Sequence, residues 1–163
     1  MNDSESFQRA AAAASRLLSY RPRSAAELRA RLNQRFSAQV VDRVVESLLS
    51  RGVLDDATFA KLWKSSRDAL NPRSATAIRR ELVAKGVSKE LAAATVSGAD
   101  DLDNAYRAGS KASRRLQETT AAAFRRRLWG YLRRRGFSES ITRTTIGRLW
   151  EERDTPSEEP EAW

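Results

Sequence analysis

Neither cysteine nor histidine occurs in the 163 residues. Disulfides, thiolate nucleophiles, imidazole bases and the usual zinc sites are therefore excluded. No apolar run reaches membrane-spanning length, and the alanine run Ala10–Ala14 has no basic stretch before it. Neither a bilayer-crossing helix nor a secretory signal is expected, and the cytoplasm is the expected compartment. Glycine, with seven residues, and proline, with four, are scarce. Alanine is abundant and β-branched residues are scattered, which favours an all-α chain. No glycine-rich loop ending in GK[ST] is present; Gly109-Ser110-Lys111 falls within a helical pattern. No cofactor, no metal and no catalysis are expected.

Positive charge is plentiful. Thirty basic residues stand against 21 acidic ones, a formal net charge of +9, and arginine far outnumbers lysine. The planar guanidinium fork suits phosphate and carboxylate, so an anionic partner is one reading. A soluble basic helical protein without a specific anion site is the other.

The chain repeats. In Ile78–Ser88, IRRELVAKGVS, Ile78 and Leu82 share a helix face. Gly86 follows where a left-handed residue ends a helix, Val87 can fold back onto Leu82, and Ser88 is placed to cap a new helix. Fifty residues on, Leu128, Leu132, Gly136, Phe137 and Ser138 repeat the pattern; fifty back, Ser24, Leu28 and Leu32 match Ser74, Ile78 and Leu82. At that first stop the turn is one residue shorter and lacks a glycine near Arg35. Pro-Arg-Ser also recurs, at Pro22–Ser24 and Pro72–Ser74. Such a period predicts a tandem array.

Three three-helix repeats are predicted, at 16–54, 55–98 and 99–152, forming an elongated, curved all-α protein. Residues 1–15 lead into the first helix, and an acidic tail over 153–163 is expected to be disordered. Ser24-Ala25-Ala26-Glu27 has the form of a capping box, and Phe36 with Val41 that of a hydrophobic staple. Val40, Val41, Val44, Val45, Leu48 and Leu49 form an apolar stripe. Phe59, Leu62, Trp63 and Leu70 are expected to bury one face of the next helix. The pairs Asp55-Asp56 and Asp100-Asp101 sit at helix starts, where caps are expected rather than metal ligands.

The densest charge lies in the third repeat: Arg125, Arg126 and Arg127, then Arg133, Arg134 and Arg135, with Arg114 and Arg115 upstream. Opposite Leu128 and Leu132 these predict a basic ridge flanked by Trp129. No acid occurs between Ala121 and Phe137, which favours an interface over a solvated face. A smaller set, Arg73, Arg79, Arg80 and Lys85, has Glu81 and Glu90 near in sequence as partners, which favours solvation. Trp63 keeps the spacing of a core residue; Trp129 fits either packing or base stacking.

GVLDDATFA (Gly52–Ala60), NPRSATAIRRELVAKGVS (Asn71–Ser88) and FRRRLWGYLRRRGFSESI (Phe124–Ile141) resemble the RecX regulatory proteins of bacteria, and the resemblance spans about Ser15 to Glu152. It implies an array of three-helix repeats that binds the RecA recombinase filament on single-stranded DNA, lies in its groove and restrains ATPase and strand exchange. The chain is then expected to act as a monomeric regulator. Candidate contacts are Arg125, Arg126, Arg127, Arg133 and Arg134, with Arg79 and Arg80. A general nucleic-acid-binding protein acting through phosphates, without RecA, is the alternative.

Overall fold

The computed structural model describes residues 3–116 and 120–154, so the acidic tail beyond Asp154 lies outside the described residues. The chain runs α1 (Asp3–Tyr20), α2 (Ala25–Leu32), α3 (Ala38–Ser50), α4 (Asp56–Leu70), α5 (Ala75–Ala84), α6 (Lys89–Val96), α7 (Asp101–Ser113), a 3-10 turn (Arg114–Leu116), α8 (Ala121–Arg134) and α9 (Glu139–Asp154). No strand occurs among the described residues.

The starts follow the expected cap chemistry. Ser24 accepts from the Glu27 amide while Glu27 accepts from the Ser24 amide, a complete capping box. Asp55 takes the Ala57 and Thr58 amides and Asp100 those of Leu102 and Asp103. Ser88 and Ser138 cap α6 and α9, whereas Ser37 opens α3 without a side-chain cap bond. The stops follow too. The Val87 amide bonds to the Leu82 carbonyl and the Gly86 amide to the Val83 carbonyl, the paired bonds of a Schellman stop, with Gly86 at φ 84°. Gly136 and Phe137 repeat it on Leu132 and Arg133. At the first stop the Phe36 amide reaches Leu32 and no residue needs a left-handed backbone.

Packing divides the chain into two units. The first comprises residues up to Ser65 with Arg79–Ser97. Its core joins Ala10 and Ala14 of α1, Leu28 and Leu32 of α2, Val40, Val41, Val44, Val45 and Leu48 of α3, and Leu54. Phe36 packs against this cluster, while Leu49 at the stripe's edge is exposed. The second unit comprises Ser66–Ile78 and the residues from Gly98 on. There α7, α8 and α9 pack together around Ala105, Ala108, Phe124, Leu128, Leu132, Phe137, Ile146 and Leu149.

α4 corrects one expectation. Phe59 is buried and Trp63 half-buried, but Leu62 and Leu70 are 50% and 74% exposed. Periodicity identifies the apolar face of a helix, not how far a neighbour extends along it, and α4 has its buried residues, Phe59 and Ala60, in its first two turns.

One joint occurs in each unit. In the first, the Ser24 hydroxyl donates to the Lys85 carbonyl, the Ala25 amide donates to Asp56 Oδ1 at 2.8 Å, and Gly86 lies against Ala26 so closely that a Cβ would come within 2.2 Å of the alanine methyl. In the second, the Ser74 amide donates to the Arg135 carbonyl at 3.1 Å and the Ala75 amide to Asp101 Oδ1 at 2.7 Å. Gly136 there sits where a Cβ would meet Ser74 Oγ at 2.6 Å and Ala77 Cβ at 2.8 Å. The second aspartate of each pair thus caps a helix other than its own. In the second unit this joint seats the end of α8 against the start of α5.

A candidate anion-binding interface

α8 is four columns of side chains at i, i+4, i+8 spacing. Phe124, Leu128 and Leu132 make the buried column. Arg125, Trp129 and Arg133 make a second, Arg126, Gly130 and Arg134 a third, and Arg127, Tyr131 and Arg135 a fourth. The third and fourth columns form one wall of an open groove of about 600 Å³. α7 and the 3-10 turn supply Lys111 and Arg115, and the corner Leu70-Asn71-Pro72 supplies the rim. Six cations line it, namely Lys111, Arg115, Arg126, Arg127, Arg134 and Arg135, and among the described residues no carboxylate does. Ala108, Ala112, Leu116 and Leu128 give it an apolar floor.

Lys111, Arg115, Arg126, Arg127 and Arg134 form no ion pair among the described residues. Arg135 is held differently. Its guanidinium lies 3.6 Å from the centre of the Tyr131 ring, and burial pulls its pKa below the ordinary arginine value, with Arg73 and Arg134 adding to the depression and Tyr131 opposing it. Gly130 leaves the middle of the third column open, so Arg134 Nη1 reaches within 3.0 Å of where a Cβ would stand.

The seven candidate arginines separate. Arg126, Arg127 and Arg134 line the groove. Arg125 and Arg133 are exposed on the adjoining column, and Arg133 Nη1 donates to the Phe137 carbonyl at 2.6 Å. Arg126 and Arg133 thus stand on different columns of α8, and only Arg126 lines the groove. Arg79 and Arg80 belong to the first unit and line a separate depression with Val83, Ala84 and Lys89. Glu81, expected as a partner for that set, accepts from Trp63 Nε1 at 2.8 Å, and Lys85 pairs with Glu27 at 3.1 Å and lies over the Trp63 ring. Arg79 and Arg80 form no ion pair among the described residues.

Trp129 is half-buried and packs against the second core rather than projecting as a stacking platform. Trp63 stacks with Phe59. Lys111 joins the site although no sequence signal marks it. Lys111 and Arg115 stand four apart, which would have put them on one side of the chain, but only packing shows that this side faces α8.

Comparisons with known proteins find three matched domains in succession along the chain. The family model of the RecX first three-helix domain matches residues 10–48, that of the second 55–96 and that of the third 99–146. A regulatory protein RecX from Chlorobium limicola is 32% identical over 143 residues, covering 87% of this chain and 90% of that protein. Another, from Mycobacterium tuberculosis, is 33% identical over 160 residues, covering 93% and 92%. The crystal structure of RecX from Lactobacillus salivarius has a similar fold, with a TM-score of 0.75 at 18% identity over 91% of this chain and 99% of that one.

Proposed function

The chain belongs to the RecX family, and on that footing we propose that it binds the filament formed by the RecA recombinase on single-stranded DNA and slows its ATPase and strand exchange, with the groove of the second unit as one contact surface. The observation that carries the reading is six cations around one groove without a carboxylate among its described lining residues. Guanidinium forks take phosphate or carboxylate oxygens in pairs, and a filament of protein and DNA offers both. Bringing so many like charges together is unfavourable in isolation, and an anionic partner relieves it. The relatives carry the name of a regulatory protein, and this chain is read likewise as a monomeric, stoichiometric regulator in the cytoplasm, without a catalytic step.

The test is RecA-dependent strand exchange and co-sedimentation with filaments. Arg126→Glu/Arg127→Glu/Arg134→Glu should lose inhibition, while Arg125→Glu, one column away, should keep most of it. A folded triple variant that inhibits like the parent would reduce the groove to a solvated face. Binding to bare DNA with the same affinity and salt slope, and indifference to RecA, would favour a general nucleic-acid-binding protein.

A further inference from the structure

The first unit holds another cationic groove, of about 400 Å³, that contains none of the seven candidate arginines. Arg16 and Tyr20 contribute from one side of the last turns of α1. Arg23 enters from the linker, and Arg31, Arg35 and Phe36 come from the end of α2 and its shortened stop. Among the described residues, no carboxylate lines the groove. Arg16, Arg31 and Arg35 form no ion pair among the described residues.

Arg23 is only 9% exposed. Its Nε donates to the Leu17 carbonyl at 3.2 Å, and its two terminal nitrogens hydrogen-bond to no described residue. Burial, then the neighbouring Arg21, push its pKa below the ordinary value; Arg31 adds to this and Glu27 opposes it. Glu27 is already engaged by Arg21 and Lys85. A guanidinium desolvated among other cations is an electrostatic cost that an anion in the groove would offset. Beside it, Tyr20 is 90% exposed, the most exposed large apolar side chain among the described residues. A basic channel edged by a free aromatic ring is the combination that holds a single strand, phosphates on the cations and a base on the ring.

We propose that this groove binds a short segment of single-stranded nucleic acid, with phosphates against Arg16, Arg23, Arg31 and Arg35 and a base stacked on Tyr20. A duplex keeps its bases stacked inside and offers the groove only phosphates. An acidic peptide offers charge without the flat face that Tyr20 accepts. The site rests on the first unit alone and does not depend on recognition of RecA.

The experiment measures binding of a labelled oligothymidylate to the full chain carrying Arg126→Glu/Arg127→Glu/Arg134→Glu, so that the second unit's groove is silent. In that background Tyr20→Ala should weaken binding by roughly five- to a hundredfold with the salt slope unchanged, the loss of one base stack. Tyr20→Phe should retain the affinity. Arg31→Gln/Arg35→Gln should lower the slope of log K against log salt by about 0.7 for each phosphate no longer neutralised. A duplex of equal length should show no dependence on Tyr20. Circular dichroism and a thermal melt confirm that the variants are folded. The proposal is overturned if folded Tyr20→Ala and Arg31→Gln/Arg35→Gln chains bind the oligonucleotide like their parent, or if polyglutamate competes equally well and Tyr20 is irrelevant. Because RecA is absent from the assay, such a failure leaves the filament reading to its own test.

Discussion

Two glycines at helix ends separate conformation from contact. Gly52 and Gly86 both lie at positive φ, at 68° and 84°. A Cβ at Gly52 would meet nothing within 4 Å, whereas at Gly86 it would stand 2.2 Å from Ala26 Cβ. Gly52→Ala should therefore cost only the left-handed backbone, about 1–2 kcal/mol. Gly86→Ala should cost clearly more, because Ala26 lies in the path and α2 would have to move. Urea denaturation of the two variants reads the difference, and equal costs would mean that the close approach is not held in solution. Glu27 adds a pH dependence. Burial alone would raise its pKa, but hydrogen bonds from Arg21, Lys85 and the Ser24 amide outweigh burial and hold it below its ordinary value of 4.5. A depressed carboxyl pKa stabilises the fold fully above the unfolded value and less as pH falls through the folded one. Stability should thus fall on the acid side, below about pH 4.5, and Glu27→Gln should flatten that limb. Denaturant titrations from pH 3 to pH 7, roughly the range over which carboxylates titrate, check it.

Among the elements, α8 carries the site, and its position depends on the column that carries no charge. Leu128 is fully buried in the second core, so Leu128→Ala should cost roughly 2–5 kcal/mol and loosen the groove wall with it. Replacing Arg126, Arg127 and Arg134 should instead leave the melt nearly unchanged, since all three are exposed and unpaired among the described residues. That contrast, core column against groove column, is read by thermal denaturation beside the inhibition assay. The start of α5 gives a third case. Asp101 of α7 accepts the Ala75 amide, so Asp101→Ala should cost about 0.5–2 kcal/mol, the range for loss of an N-cap acceptor, although α7 keeps its own cap on Asp100.

At the scale of the molecule, the proposed binding should follow the chain's charge in strength and salt dependence. The chain carries a formal +9, and the tail beyond Asp154 includes Glu158, Glu159 and Glu161. Removing Thr155–Trp163 takes three of the 21 acidic residues and should strengthen binding to filaments modestly, more at low salt, where screening is weakest. Co-sedimentation at two salt concentrations measures it, and a deletion without effect at either would show that the tail's charge does not reach the binding surface.

Caps, stops and helix faces were legible in the chain because each depends on residues within a few positions: Ser24 with Glu27, Leu82 with Gly86 and Val87, Phe124 with Leu128 and Leu132. The fifty-residue period turned those local signals into a tandem all-helical fold. What spacing could not carry were the meetings of distant residues. The carboxylates of Asp56 and Asp101 cap Ala25 and Ala75, 31 and 26 residues away. Gly86 is needed for its missing Cβ against Ala26 as well as for its φ. Of the arginine-rich stretch, packing chose which cations face a groove: the columns of Arg126 and Arg127 turn toward Lys111 and Arg115, and the column of Arg125 and Arg133 does not. Periodicity assigns a side chain to a face of its own helix; which neighbour that face meets, and how far along, is set by the geometry of the packed helices.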